Sequence, residues 1–139
     1  MKNVFFPLIA LFALVSCGGE ITEKEKEQMS INARMQLEEL YHEEGITPYG
    51  MVCKLANMEL ENDTVARGNI SISFEDWSKK PAPKVNIQAM VKFVKLHNVA
   101  WRLRPRSVDV FLVSSLIGTQ SKADSTYILK TFMTEDDYE

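Results

Sequence analysis

The stretch Ile70-Ser71-Ile72-Ser73-Phe74 alternates strictly between apolar and polar side chains, and it decides the fold. A period of two places the three apolar residues on one face of a β-strand and the serines on the other. This strand extends back to Val65, and an apolar-rich run over residues 49–60 precedes it. The intervening Glu61-Asn62-Asp63 is typical of a turn. The sequence therefore predicts an antiparallel hairpin, in which Gly68 marks a bulge.

A second alternating segment follows the proline-rich loop 79–84, because the odd positions from Val85 to Phe93 are all apolar. The even positions are polar except for Met90, so we predict another strand over residues 85–97. Periodicity alone leaves a short amphipathic helix open as the alternative, with one face formed by Ile87, Met90, Val91 and Val94.

Three further strands are predicted downstream. Val99, Trp101 and Leu103 occupy alternate positions, and the next segment, Pro105-Arg106-Ser107, is typical of a turn. Residues 108–117 are mostly apolar and predict a central strand. A polar loop then leads to a last strand over residues 126–133.

Residues 22–44 have the pattern of an amphipathic α-helix. Thr22 and Glu25 have the spacing of a capping box, while Gly45 and Pro48 provide the stop. The predicted apolar stripe consists of Met29, Ala33, Leu37, Leu40 and Tyr41.

These elements predict an α+β fold, with an N-terminal amphipathic helix packed on an antiparallel β-sheet or small β-sandwich of about five or six strands. If the segment 85–97 is helical instead, the domain becomes a more even α+β layer structure.

The beginning of the chain has the features of an export signal. Lys2 precedes an apolar run from Val4 to Val15, which is shorter than a membrane-spanning helix requires. The run ends in Leu14-Val15-Ser16-Cys17, a lipobox that resembles the cleavage site of bacterial lipoproteins. The resemblance implies that residues 1–16 are removed as a signal peptide. It also implies that Cys17 becomes a lipidated N-terminus held at a membrane.

Under this interpretation, residues 17–21 are a lipidated tether, residues 22–134 form a single globular domain, and residues 135–139 are an acidic tail. Gly18 stands where well-studied lipoproteins retained at the inner membrane carry Asp. The resemblance therefore implies a lipid anchor in the bacterial outer membrane, with the domain facing the periplasm or the cell surface. Lipidation of Cys17 would also remove the intrachain disulfide partner of Cys53, which we predict to be a small buried hydrophobic residue.

The charge of the chain is unevenly distributed. Residues 77–108 contain eight Lys or Arg and no Asp or Glu, although the formal net charge is −3. On alternating strands, this predicts a basic face formed by Lys92, Arg102, Arg104 and Arg106. The face either docks an anionic partner or is solvated opposite the glutamates of the helix. The acidic balance of the whole chain argues against nucleic acid as a partner.

No catalytic constellation is predicted, and no cofactor. His42 and His97 are the only histidines for a zinc site, and the pair Asp136-Asp137 lacks the spacing of a calcium loop. Trp77 and Trp101 are interpreted as packing residues of the core or rim in preference to a sugar-binding platform.

We therefore expect a membrane-anchored envelope lipoprotein that is a non-enzymatic binding or assembly subunit, with a protein partner in a larger envelope or secretion complex. Small lipoproteins of secretion and outer-membrane assembly complexes are similar in general layout. The alternative is a small lipoprotein that binds a saccharide or lipid, or hydrolyses its ligand, in a sheet cavity lined by Trp101, Tyr49 or His97.

Overall fold

One α-helix and six antiparallel strands make up the part of the chain that the structure, a computed structural model, describes: residues 20–97 and 100–130. The helix is α1 (Glu23–Glu43), and the strands are β1 (Pro48–Asn62), β2 (Val65–Asp76), β3 (Lys84–Leu96), β4 (Ala100–Leu103), β5 (Asp109–Ile117) and β6 (Gln120–Ala123). Single-turn 3-10 helices lie at Pro105–Ser107 and Ser125–Tyr127. The predicted α+β fold is confirmed, in the form of one sheet with the helix packed on it.

The sheet has the order β1-β2-β3-β5-β6, and β4 also pairs with β3. β3 is long enough for β5 to bond its first half and β4 its last four residues. Between these two partners, the hydroxyl of Ser107 accepts from the backbone N–H of Lys92 at 3.0 Å. The helical alternative for residues 85–97 is therefore wrong, because β3 is the central strand of the sheet.

The predicted helix is confirmed together with both of its ends. Thr22 and Glu25 form a reciprocal capping box at the N-terminus. At the other end, Gly45 has a φ of +80°, and the N–H of Ile46 donates to the carbonyl of Tyr41 at 3.0 Å. This is a Schellman ending, which a residue with a Cβ atom would strain. Four residues of the predicted stripe have no exposed surface: Met29, Ala33, Leu37 and Tyr41.

Helix α1 also bonds the outer edge of β4 through side-chain amides. Asn32 Nδ2 donates to the carbonyl of Trp101 at 2.7 Å, and Gln36 Nε2 donates to that of Leu103 at 3.0 Å. Gln36 Oε1 in turn accepts from the N–H of Leu103 at 2.8 Å. Residues 32 and 36 are one helical turn apart, so both amides face the same strand. The helix thus occupies the edge of β4 as a neighbouring strand would.

Two details of the hairpin differ from the prediction. The turn is Asp63-Thr64, because β1 continues to Asn62. The irregularity near Gly68 lies on the opposite strand, where Asn57 has a φ of +56° and the register shifts. A Cβ on Gly68 would lie 2.3 Å from the sulfur of Met58, so the glycine makes room for the bulge of β1.

The predicted strand over residues 126–133 is wrong for its described part. Residues 125–127 form a 3-10 helix, and the final strand, β6, lies earlier in the predicted polar loop. Asp124 explains the difference, because its carboxylate accepts from Thr126 N and Thr126 Oγ1 and so turns the chain. Tyr127 and Leu129 then enter the core.

The amide contacts with β4 predict a specific loss of stability. Replacing both Asn32 and Gln36 with Ala should lower the free energy of unfolding by about 2–4 kcal/mol, because backbone groups of β4 lose their partners. Gln28→Ala on the exposed side of the same helix is the matched control and should change it by less than about 0.5 kcal/mol. Urea unfolding of the three proteins checks this, and equal midpoints for all three would contradict it.

Candidate functional site

The two faces of the sheet differ in what covers them. One face carries the apolar phase of β2 and β3 and is buried, and α1 lies on this side of the sheet in contact with β1 and β4. The buried residues of the two strands are Ile70, Ile72, Phe74, Val85, Ile87, Ala89, Val91 and Phe93. The opposite face carries the other phase, and the described elements leave it uncovered. We call this second surface the open face. It is the face on which the sheet exposes side chains to solvent.

The open face is built from rows of side chains that cross paired strands. One row runs from Tyr49 on β1 through Glu75 and Lys84 to Leu116 on β5. The two neighbouring rows carry short polar side chains, because this phase of β2 has serine at positions 71 and 73. Together they line a hollow of about 450 Å³, whose members include Lys54, Ser71, Ser73, Lys84, Asn86 and Ser114.

Charge is compensated at one end of the open face and not at the other. Arg67 and Lys92 both contact Glu61, with N–O distances of 3.5 Å. In contrast, Lys54 and Lys84 form no ion pair with any residue in the described ranges. The hollow therefore holds two exposed ammonium groups that are available to an anion.

An exposed aromatic pair lies on the open face outside the lining of this hollow. Tyr49 and Trp77 stack with ring centroids 3.7 Å apart and an interplanar angle of 12°, and each remains 52% exposed. Trp77 Nε1 donates to Glu75 Oε1 at 2.9 Å, which fixes the orientation of the indole. We call this pair the aromatic shelf. A second hollow of about 340 Å³ lies between the shelf and the first hollow, and Ser73 and Lys84 line both.

The four residues of the predicted basic face do not share one environment. Lys92 lies on the open face in its ion pair with Glu61, and Arg102 projects on the same side of the sheet, opposite Val94. Arg102 also borders a groove with Glu38 and Glu39 of α1. Arg104 and Arg106 are exposed where β4 passes into the following 3-10 helix. We call these two residues and Arg102 the arginine rim.

The three residues suggested for a sheet cavity lie in different places. Trp101 is buried under α1, and its Nε1 donates to Glu25 Oε2 at 3.1 Å. His97 is exposed in the turn after β3, whereas Tyr49 belongs to the aromatic shelf. The packing interpretation is confirmed for Trp101. Trp77 instead lies half-exposed on its tyrosine partner.

The most connected buried polar group is Asp76, at the end of β2. Its Oδ1 accepts from Ser78 N at 2.9 Å and Thr47 N at 3.3 Å, and its Oδ2 accepts from Tyr127 Oη at 2.6 Å. Burial raises the pKa of Asp76, but the hydrogen bonds from Ser78 and Tyr127 outweigh burial and hold the pKa below its ordinary value. Asp76 thus joins three separate segments in its ionised form. Its geometry is that of a structural group.

Cys53 is also structural. It is buried in the core beneath α1, and burial raises the pKa of its thiol to about 12. A thiol that remains protonated at neutral pH is a poor nucleophile. The predicted small buried hydrophobic residue is confirmed. Cys17 lies outside the described residues, as do the signal peptide and the acidic tail.

Within residues 20–97 and 100–130, no three His, Cys, Asp or Glu side chains converge as a metal site. In the same ranges, no helix is long and apolar enough to cross a membrane. The chain matches no protein-family model, no curated protein and no solved structure.

Sequence reasoning missed Lys54, Lys84 and the aromatic shelf. The signal for the two lysines was present in the polar phase of the strands, because the alternation that buries Cys53 and Val85 exposes their neighbours. Nothing in the sequence indicates that Trp77 stacks on Tyr49, because that contact depends on the register of β1 with β2.

Asp76 predicts a pH dependence of stability. Because its folded-state pKa lies below the unfolded value, its contribution is complete above about pH 4 and is lost as the pH falls through the folded-state pKa. Asp76→Asn should therefore cost about 3 kcal/mol at pH 7 and much less at pH 2.

Urea unfolding at several pH values measures this difference. Asp63→Asn in the exposed β1–β2 turn is the control and should follow the wild type. Some acid sensitivity remains in Asp76→Asn, since hydrogen bonds also hold down the pKa values of Glu25 and Asp124 against the effect of burial. An equal cost of Asp76→Asn at both pH values would contradict the assignment.

Proposed function

We propose that this chain is a lipid-anchored lipoprotein of the bacterial outer membrane and that its domain is a non-enzymatic binding subunit of an envelope complex. The lipobox ending at Cys17 supports the anchor. The carboxylates of Asp76, Asp124 and Glu25 accept hydrogen bonds that hold segments of the fold together, which is a structural task and not a catalytic one.

The observation that carries the binding role is the arginine rim. Arg102, Arg104 and Arg106 are exposed within five residues of chain, on one short strand and the turn that follows. Helix α1 fixes this strand through Asn32 and Gln36, so the backbone that carries the rim is held in place. Arginine forks bind carboxylates in a bidentate geometry, and we infer an acidic protein surface as the partner.

The anchor is tested by expressing the full chain in a bacterium that processes lipoproteins and separating the membranes. The wild type should sediment with the outer membrane, and mass analysis should give an acylated Cys17 as its first residue. Cys17→Ala should not be acylated and should leave that fraction, because it lacks the acceptor thiol. Cys53→Ala is the matched control and should behave as the wild type. An unprocessed Met1 in the wild type would contradict the proposal.

The same membranes test the partner after chemical crosslinking. Replacing all three rim arginines with Ser should reduce the crosslinked product by about tenfold, since each lost charge-assisted contact weakens binding. A control with Ser at Lys24, Lys80 and Lys122 removes the same charge elsewhere and should retain the product. An unchanged yield with the rim variant would rule out the arginine rim as the docking surface.

A further inference from the structure

We propose that the open face carries a second binding site, at the end opposite the arginine rim, for an acidic oligosaccharide. The site consists of the aromatic shelf, the ammonium groups of Lys54 and Lys84, and the short polar side chains between them. This site requires neither the lipid anchor nor the protein partner, so its test is independent of the function proposed above.

The aromatic shelf points to a ligand with flat C–H surfaces. Half of the surface of both Tyr49 and Trp77 is exposed, although a stacked pair of this size would normally be buried. The negative faces of aromatic rings attract the partly positive C–H groups that a pyranose presents on one side. The bond from Trp77 to Glu75 holds the indole in place before a ligand arrives, which lowers the entropy cost of binding.

The lining beside the shelf suits hydroxyl groups. Ser71, Ser73, Asn86 and Ser114 line the larger hollow and offer both donors and acceptors. Sugar hydroxyls likewise donate and accept, so each can be matched. A peptide backbone would instead pair with a strand edge that the described elements leave unpaired, such as the outer edge of β1; these serine and asparagine side chains belong to β2, β3 and β5, which are bonded on both sides.

The two lysines specify that the saccharide is acidic. Lys84 lines both hollows next to the shelf, and Lys54 lines the far side of the larger hollow. The strand spacing and register place their Cα atoms about 16 Å apart, which is longer than one sugar ring. Glu75 lies opposite Lys84 across the strand pair, but its carboxylate accepts from Trp77 and makes no direct ion pair with the lysine, so the ammonium group can still contact a ligand. An oligosaccharide with carboxylates on successive units matches this arrangement.

The test is calorimetric titration of the full-length protein in a non-glycosidic detergent. The probes are three acidic oligosaccharides (tetragalacturonate, a hyaluronan tetrasaccharide and a heparin tetrasaccharide), methyl-esterified tetragalacturonate, and tetraglutamate. At least one acidic tetrasaccharide should bind, and its affinity should fall as the salt concentration is raised. If the binder is tetragalacturonate, its methyl ester should bind about tenfold more weakly. In every case tetraglutamate should bind at least about tenfold more weakly, because it has no sugar face for the shelf.

Variants locate the site. Trp77→Ala should weaken the binding of the acidic tetrasaccharide by about tenfold, and Trp77→Phe should restore most of it. Replacing Lys54 and Lys84 with Gln should weaken it by a similar factor, whereas the matched pair Lys24→Gln and Lys122→Gln should not. The substituted side chains are exposed, and thermal unfolding confirms that each variant is folded.

Several outcomes would overturn the proposal. Failure of all three acidic tetrasaccharides to bind at millimolar concentration removes the site. If Trp77→Ala leaves the affinity for the tetrasaccharide unchanged, or if tetraglutamate binds equally tightly, the surface binds anions in general and is not a saccharide site. Binding that survives the loss of Lys54 and Lys84 refutes the acidic specificity. Loss of binding in the arginine-rim variant alone moves the site to the other end of the face.

Discussion

Helix α1 is attached to one side of the sheet, and the rest of the structure depends on this attachment. Its buried stripe covers the apolar phase of the strands, while Asn32 and Gln36 occupy the edge of β4. Glu25 adds a third link, because its carboxylate completes the capping box and also accepts from Trp101 Nε1. The helix therefore determines which face of the sheet is core and which face is open.

The buried carboxylate of Asp76 performs the corresponding task at the other end of the sheet. It connects the start of β1 through Thr47 and the end of β2 through Ser78 to the last 3-10 helix through Tyr127. Trp77 is the next residue after Asp76, and its backbone N–H donates to the carbonyl of Thr47 at 2.9 Å. The exposed aromatic shelf is thus built on a corner that hydrogen bonds hold rigid. An exposed side chain held on a fixed base is what a binding platform requires.

The sequence was sufficient for the elements whose patterns are long. The alternation over residues 85–93 gave β3 correctly, and Thr22, Glu25 and Gly45 gave both ends of α1, because these signals are local in the chain. The strand predicted for residues 126–133 failed, since Asp124 redirects the chain through side-chain bonds that apolar content does not reveal. The binding surfaces were harder still. Lys84 lies in the same row as Tyr49 only because of the strand register. Lys92 differs from the arginine rim because it forms an ion pair with Glu61, which is distant in the sequence.

The central claim is that α1 covers one face of the sheet and that the opposite face, near Lys84, takes up an acidic saccharide. Backbone amide resonances of the isotope-labelled protein, recorded during titration with the tetrasaccharide that binds, test it most directly. We expect shifts confined to Tyr49–Lys54, Ser71–Trp77, Lys84–Gln88 and Ser114–Leu116, with α1 unaffected. Shifts centred on α1 or on the arginine rim would contradict it.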